Sequence, residues 1–158
     1  MKVRAAVAAD TPRLVQLADR FSDEALPAWR RPGSMSSSLD EHKAALASEL
    51  PEDQTLLVCV TDHNLPVGYA YAMMDKDFFT GELQGHLLFL VTEAEHQRKG
   101  VARTLMAAVE EWAQARGATG LLLYVFATNE GARQVYHRLG FQEDMLKMVK
   151  PMRGGEDG

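Results

Sequence analysis

The chain has 158 residues, of which 46% are hydrophobic and 25% are charged, and this balance excludes a disordered protein and favours one compact domain. A net charge of −5 disfavours general affinity for nucleic acid, because such binding depends on Lys and Arg that neutralise phosphates. The apolar runs are far shorter than the about 20 residues of a membrane span, and no secretory signal is visible. We therefore expect a cytoplasmic protein without nucleic-acid or membrane partners, with one domain over residues 1–153 and a flexible tail over residues 154–158.

The first 50 residues carry signals for one strand and two helices. Residues 1–7 alternate loosely, as a strand does, and Asp10 then offers a side-chain cap before Pro12 in the first turn of a helix that ends near residue 21. Ser38 and Glu41 have the spacing of a capping box, which predicts a second helix that ends before residue 51. Residues 22–37 lack a sustained period, which predicts an irregular connection of the kind that often lines a site.

The pattern then changes to strands. Two β-prone runs, residues 54–61 and 66–74, are separated by four turn-forming residues, which predicts an antiparallel hairpin with His63 in its turn. The single cysteine, Cys59, lies in the first run, so no intramolecular disulfide can form. Because no histidine stands in a recognisable partner motif, Cys59 is better interpreted as a packed core thiol than as a nucleophile.

Two strand–helix units follow the hairpin. The predicted strands are residues 86–92, 120–126 and 141–150, and the predicted helices are residues 100–116 and 129–139. The first of these helices has a core-facing stripe, formed by Val101, Leu105, Ala108, Val109 and Trp112. Strand–helix units after an antiparallel hairpin indicate an α/β sheet that is parallel in part and antiparallel elsewhere.

A basic, glycine-containing loop lies between the strand 86–92 and the helix 100–116. Its sequence is Gln97-Arg98-Lys99-Gly100-Val101-Ala102. The first N–H groups of a helix have no intrahelical partner and carry partial positive charge, so such a loop can bind phosphate. Arg98, Lys99 and Arg103 add positive charge, which suits a diphosphate. Taken alone, an ordinary basic loop that caps a helix is the more common explanation of so short a motif.

A second group of residues follows the strand 120–126. Asn129, Ala132 and Tyr136 are spaced by three and four residues, which places them on one face of a helix. Asn129 and Tyr136 are then roughly 10 Å apart along the axis, so they could contact two points of one elongated ligand. Taken singly, a capping Asn and a core Tyr explain the same residues.

Together these two motifs resemble the GNAT superfamily of acetyl-CoA-dependent N-acetyltransferases. The family motifs are Gln/Arg-x-x-Gly-x-Gly/Ala, then Asn-x-x-Ala-x-x-x-Tyr, then Leu-Gly-Phe. Residues 139–141 of this chain are Leu-Gly-Phe. The resemblance covers about residues 86–150. Ala102 is an accepted variant of the commoner glycine, whereas residues 92–96 are about one residue longer than in many family members, which affects the local register.

The resemblance implies a mixed, mostly antiparallel central sheet of six or seven strands flanked by helices, with acetyl-CoA as cosubstrate and no metal. Backbone N–H groups from Arg98 to Ala102 would hold the pyrophosphate, and Gln97 would help to shape the loop. The pantetheine arm would enter where the strands 86–92 and 120–126 separate, with Asn129 bonded to it. A backbone N–H near Leu90 or Val91 would polarise the thioester carbonyl.

By the same resemblance, Tyr136 would protonate the departing thiolate after direct attack by the amine. The amine needs help in losing its proton, since its pKa is about 10.4. Counting back from the cofactor loop makes His86 the nearest match to the position of the family's base, with Glu82 and Glu93 as alternatives. His86 titrates in a useful range, although a strand-end histidine without a catalytic duty is an equally good explanation.

The acceptor is expected to be a primary amine of a small molecule or peptide, but no motif identifies it. The net charge of −5 lies entirely in residues 1–85, and five acidic residues there would suit a cationic amine or simply form a solvated surface: Asp23, Glu24, Asp75, Asp77 and Glu82. A non-catalytic acyl-CoA sensor is the alternative function. Family members often dimerise, so a homodimer is also to be considered, although no segment identifies an interface.

Overall fold

The computed structural model describes residues 1–21 and 26–152. The predicted tail, residues 154–158, lies outside the described residues, as do Asp23 and Glu24. The described residues group into two compact units, one within residues 1–22 and 35–124 and the other within residues 23–34 and 125–158. The prediction of a single domain over residues 1–153 stays a prediction.

The first unit contains a sheet of five strands with helices on both faces. Its elements are β1 (Lys2–Ala5), α1 (Thr11–Ala18), α2 (Ser36–Leu46), β2 (Gln54–Val60), β3 (Pro66–Lys76), β4 (Leu83–Thr92), α3 (Val101–Gln114) and β5 (Gly120–Leu122). The strand order is β1-β2-β3-β4-β5, antiparallel up to β4 and parallel between β4 and β5. The predicted mixed, mostly antiparallel α/β fold is therefore confirmed, with five strands in the described residues instead of six or seven.

The two faces of β3 show why helices cover both sides of the sheet. Tyr69 and Tyr71 lie in a core with residues of α1 and α2, among them Leu14 and Leu46. Side chains alternate along a strand, so Gly68 faces the other way. A Cβ atom added there would lie 2.7 Å from Val101 Cγ1 of α3.

The hairpin of β2 and β3 also buries the sulfur of Cys59, and burial raises the pKa of that thiol.

The parallel pairing of β4 with β5 is short. It extends from Gln84 opposite Gly120 to His86 opposite Leu122, whereas β4 continues to Thr92. Gly85 lies inside this pairing, and a Cβ atom added there would lie 2.6 Å from Leu121 Cδ2 and 2.8 Å from Ala113 Cβ. Beyond His86, within the part of the chain that the structure describes, the edge of β4 that faces away from β3 has no strand partner.

Two predicted helix caps were wrong. The helix α2 begins at Ser36, two residues before Ser38, and no side chain caps it at Met35. Leu39 N donates to Met35 O, so Ser38 already lies within the first turn. The Asp10 carboxylate does not cap α1. It binds the Arg4 guanidinium at 2.7 and 3.0 Å and accepts from Val7 N, and the side-chain hydrogen bond to Arg4 is the main reason that the pKa of Asp10 lies below its usual value.

The second unit contains α4 (Glu130–Arg138), which is followed after Leu139 by Gly140 with φ of +99°. The predicted strand over residues 141–150 is not formed in the described residues, and only Gly120–Leu122 of the predicted strand 120–126 pairs. A run of apolar residues is compatible with extended backbone, but a strand also needs a neighbour to receive its hydrogen bonds. Among residues 1–21 and 26–152, no helix has the length and apolar character required to cross a membrane.

Candidate functional site

The predicted cofactor loop connects β4 to α3 in the first unit. A short 3₁₀ turn, Ala94–His96, follows β4, and Gly100 then forms the N-cap of α3 with φ of +82°. Glycine has no side chain that could accept from the first-turn N–H groups, so these donors are available to an anion. Residues 97–100 are exposed, which leaves the Arg98 and Lys99 side chains accessible from solvent.

Arg98 has an unusual backbone conformation. Its φ is +65°, and Asn64 in the β2–β3 turn is the other positive-φ residue besides glycine in the described chain. A left-handed conformation costs a non-glycine residue about 1–2 kcal/mol. Such residues concentrate at ligand-binding sites, where the surrounding structure holds them in place.

The longer segment before the loop is held by three side chains, Arg13, Glu93 and His96, which we call the Glu93 clamp. Arg13 forms an ion pair with Glu93 and donates from Nε to Pro66 O at 3.1 Å. His96 Nδ1 lies 2.8 Å from the other oxygen of Glu93. Burial alone would raise the pKa of Glu93, but Arg13 and His96 outweigh it and lower that pKa. Glu93 is therefore a weak base, which argues against its role as the alternative base.

The strand β4 distinguishes the two candidates for the carbonyl-polarising N–H. Glu93 N donates to Val67 O, and Val91 is paired with Tyr69 two residues further along the same ladder. In an antiparallel pair, every second residue of a strand directs its N–H and C=O groups to the same neighbouring strand. The Val91 N–H is thus directed to β3, whereas the Leu90 N–H is directed to the open edge of β4. Leu90 is the better candidate.

His86 lies at the last residue pair of β4 and β5. Its side chain is 13% exposed, and Nδ1 is 3.7 Å from Asp75 Oδ2, beyond direct hydrogen-bond distance. The ring packs edge-on against Tyr124 with 5.2 Å between the centroids. Burial lowers the pKa of His86, and Asp75 offsets part of that effect. The imidazole is therefore neutral at pH 7 and able to accept a proton.

The acidic candidates have partners of their own. Asp77 Oδ1 accepts from Phe79 N and Thr80 N in the β3–β4 turn, and these backbone hydrogen bonds lower its pKa. Glu82 is exposed, and its carboxylate accepts a long hydrogen bond from the Thr119 hydroxyl at 3.4 Å. These contacts are those of a turn-forming residue, so binding of an acceptor amine is not needed to explain Asp77.

The predicted residues of the second unit lie on α4. Asn129 Oδ1 accepts from Ala132 N at 3.2 Å, so Asn129 caps the helix, and a bond to pantetheine would use its amide nitrogen. Tyr136 packs edge-on against Phe141 with 5.8 Å between the ring centroids. Burial raises the pKa of Tyr136, which keeps the phenol protonated. The structure thus places His86, Leu90 and the cofactor loop in the first unit, and Asn129 and Tyr136 in the second.

Two features of the first unit had no recognisable signal in the sequence. Arg13 and Glu93 are 80 positions apart, and no local motif joins them. His42 of α2 is also buried, 4% exposed, with Nε2 2.8 Å from the Tyr69 hydroxyl. Its ring stacks on Phe89 at 3.5 Å between centroids, and burial lowers its pKa to about 4. The helical period can place a residue on the buried face, but it does not identify the partner there.

Comparison with known proteins gives a consistent family assignment. The model of the acetyltransferase (GNAT) family matches residues 17–141. A Bacillus subtilis (strain 168) protein named as an uncharacterized N-acetyltransferase, YycN, is 39% identical over 57 residues, which is 36% of this chain and 36% of that protein. The matched segments span about a third of the length of the curated relatives.

Solved structures show the same fold. The apo aminoglycoside 6'-N-acetyltransferase AAC(6')-IG from Acinetobacter haemolyticus matches with a TM-score of 0.70 and 22% identity over 96% of this chain and 99% of that one. The aminoglycoside N-acetyltransferase AAC(6')-Iy in complex with CoA matches with a TM-score of 0.68 and 17% identity, again over 96% and 99%. At these identities the likeness concerns the fold alone.

Proposed function

Because this chain belongs to the GNAT acetyltransferase family, we propose that it moves the acetyl group of acetyl-CoA directly onto a primary amine of a small molecule or peptide. The observation that carries the proposal is the glycine-capped start of α3, which lies next to exposed Arg98 and Lys99. Free N–H groups and mobile positive charge at a helix N-terminus are what a pyrophosphate requires.

The open edge of β4 supports the second part of the binding mode. A pantetheine arm contains amide groups, so it can pair with a free strand edge as a short extra strand would. The Leu90 N–H is directed to that edge and would donate to the thioester oxygen as negative charge develops on it. The Glu93 clamp holds the turn between this edge and the phosphate-binding donors.

The proposed chemistry starts from the uncharged form of the amine and transfers one proton from it to the thiol. His86 takes a proton from the acceptor nitrogen as that nitrogen attacks the acetyl carbon. The C–S bond breaks, and Tyr136 gives its proton to the sulfur. The lowered pKa of His86 and the raised pKa of Tyr136 keep both groups in the required neutral form at pH 7. Amide and CoA thiol are the products, and both residues then regain their starting forms through solvent.

Gly100→Glu tests cofactor binding at one residue. It places a carboxylate where phosphate approaches, and we expect calorimetry to show loss of CoA binding, an increase in Kd of at least about 100-fold. Gly81→Glu is the matched control, because Gly81 also has positive φ, +72°, and open space around its Cβ position. The control introduces the same backbone strain in the β3–β4 turn. Unchanged affinity in folded Gly100→Glu would mean that the loop has another purpose.

Turnover separates an enzyme from a sensor. Thiol release from acetyl-CoA would be measured against a panel of amines that includes amino acids, peptides and aminoglycosides. We expect release that depends on the amine. CoA binding without release for every amine would favour the non-catalytic acyl-CoA sensor, and absence of both binding and release would contradict the proposed function.

A further inference from the structure

The second unit holds an arginine close to two aromatic rings. The guanidinium carbon of Arg30 lies 4.6 Å from the centroid of the Trp29 ring and 5.2 Å from that of the Phe126 ring. Arg30 N donates to Pro27 O at 3.0 Å, which fixes the local turn. Cation–π contact with two rings restricts the movement of the guanidinium, whose N–H groups can still form hydrogen bonds.

The Nε atom of this guanidinium lacks a hydrogen-bond partner among the described residues. Arg30 Nε is buried and has no hydrogen-bond acceptor among residues 1–21 and 26–152, and it is the single buried side-chain nitrogen or oxygen in that state there. The Nε–H of an arginine side chain can donate a hydrogen bond but cannot accept one. A buried donor without an acceptor is costly and calls for an explanation, and a role in anion binding is one. Nε and a terminal nitrogen together form the fork that matches a carboxylate.

Contacts within the second unit connect Arg30 to the proposed catalytic helix. Phe126, on which Arg30 stacks, accepts at its carbonyl from Asn129 N at 2.9 Å. Asn129 caps α4, and α4 carries Tyr136. Arg30 itself lies in the irregular connection between α1 and α2, the segment expected from the sequence to line a site.

We propose that Arg30 binds a carboxylate of the acceptor, so that the acceptors are amines that also carry a carboxylate, such as amino acids and peptides with a free C-terminus. This inference rests on the proposed function and narrows its substrate class. It replaces the expectation of a cationic acceptor, for which Asp77 offers little support because its carboxylate is used in a turn.

Matched acceptors test the proposal. A dipeptide with a free C-terminus and the same dipeptide with a C-terminal amide have similar amines and differ in the carboxylate. We expect kcat/KM for the free acid to exceed that for the amide by at least about tenfold in the unmodified protein, mainly through KM. In Arg30→Gln this ratio falls to near one, whereas kcat/KM for the amide changes less than about twofold. Arg30→Lys retains part of the preference, because it keeps the charge and loses the fork.

Arg116→Gln is the matched control. The Arg116 guanidinium also lies 4.6 Å from a tryptophan ring centroid, that of Trp112 at the end of α3. The acid-to-amide ratio should be unaffected in this variant. Urea unfolding of each variant establishes that it is folded, and should Arg30→Gln unfold, the ratios of the unmodified protein and Arg30→Lys decide the question.

Three results would overturn the inference, and each is distinct from failure of the proposed function. The unmodified protein could transfer acetyl groups without preferring the free acid. Arg30→Gln could retain the full preference. Calorimetry could show that Arg30→Gln weakens CoA binding while the acid-to-amide ratio is unchanged, which would place the anion on the cofactor. No transfer to any amine would instead contradict the proposed function itself.

Discussion

At the scale of single residues, burial shifts the pKa values of His86 and Tyr136 in opposite directions, down for the imidazole and up for the phenol. Both shifts favour the neutral side chain, so a base and an acid coexist uncharged around pH 7. The raised pKa of Tyr136 also makes proton donation more uphill. A phenol in that position needs the thiolate within hydrogen-bond distance, because contact is what offsets the unfavourable pKa difference.

Tyr136→Phe tests the proposed acid. The substitution keeps the ring and its edge-on contact with Phe141 but deletes the hydroxyl, so kcat should fall by about 100-fold or more while acetyl-CoA affinity and the urea unfolding midpoint change little. A higher pH should not restore the rate. Turnover at the parental rate from pH 6 to pH 9 would leave Tyr136 as a packing residue and assign the proton to water or another group.

At the scale of elements, the boundaries of β2, β3 and α3 agree with the sequence pattern to within about two residues. Their signals are local, namely a turn between two β-prone runs and an apolar stripe at helical spacing. The start of α2 was missed because Ser38 and Glu41 match a capping box inside a helix as well as at its beginning. Local signals identify an element more reliably than its end.

The Glu93 clamp illustrates what local signals cannot contain. The resemblance indicated one extra residue before the predicted cofactor loop, but it did not indicate that Arg13 of α1 pairs with Glu93, 80 positions away. Likewise, the register that directs the Leu90 N–H to the open edge is a property of the ladder with β3. Both are tertiary features, so local sequence patterns could suggest candidate site residues but not the partners that hold them.

Breaking the clamp should weaken cofactor binding from a distance. Glu93→Gln removes the charge that holds Arg13 and His96, so the turn before Gly100 should loosen and the Kd for CoA should rise by about three- to tenfold in calorimetry. Lys43→Gln is the control, because Lys43 forms another ion pair between elements, with Asp19, away from the loop. Equal affinity in the Glu93 and Lys43 variants would show that the clamp does not position the loop.

At the scale of the whole molecule, the α/β class and the mixed sheet could be predicted because hairpin and strand–helix signals succeed one another in a fixed order. The number of strands could not be predicted from these signals. Residues 141–150 have the composition of a strand, but in the described chain they form none. Whether a β-prone segment pairs depends on which strand edges of the folded sheet are free, and this is determined by the residues of the whole sheet.

Buried His42 should make stability depend on pH. The unfolded chain binds a proton at this residue below about pH 6.5, whereas the folded protein resists it until about pH 4. The unfolded state therefore binds more protons in this window, and the free energy of unfolding falls as the pH falls through it, by up to about 3 kcal/mol. The lowered pKa of His86 acts in the same direction.

Urea unfolding at pH 7, 5.5 and 4.5 measures this dependence. His42→Phe keeps a ring against Phe89 and removes the titrating group, so its loss of stability over the window should be much smaller, although the Tyr69 hydroxyl loses its partner at every pH. His63→Gln, at an exposed turn residue, should retain the parental dependence. An unchanged slope in His42→Phe would contradict the assignment.

Gly85 restricts which substitutions the protein can accept during evolution. Any side chain at this position would collide with Leu121 of β5 and Ala113 of α3, two elements that are separated from it along the chain. The end of the Leu121 side chain can turn away, but Ala113 Cβ is attached to the backbone of α3, so a larger residue at position 85 requires more room at position 113. Positions 85 and 113 should therefore covary during evolution, and a lineage that enlarges residue 85 must also gain space at position 113 if it is to keep the short β4–β5 pairing beside His86.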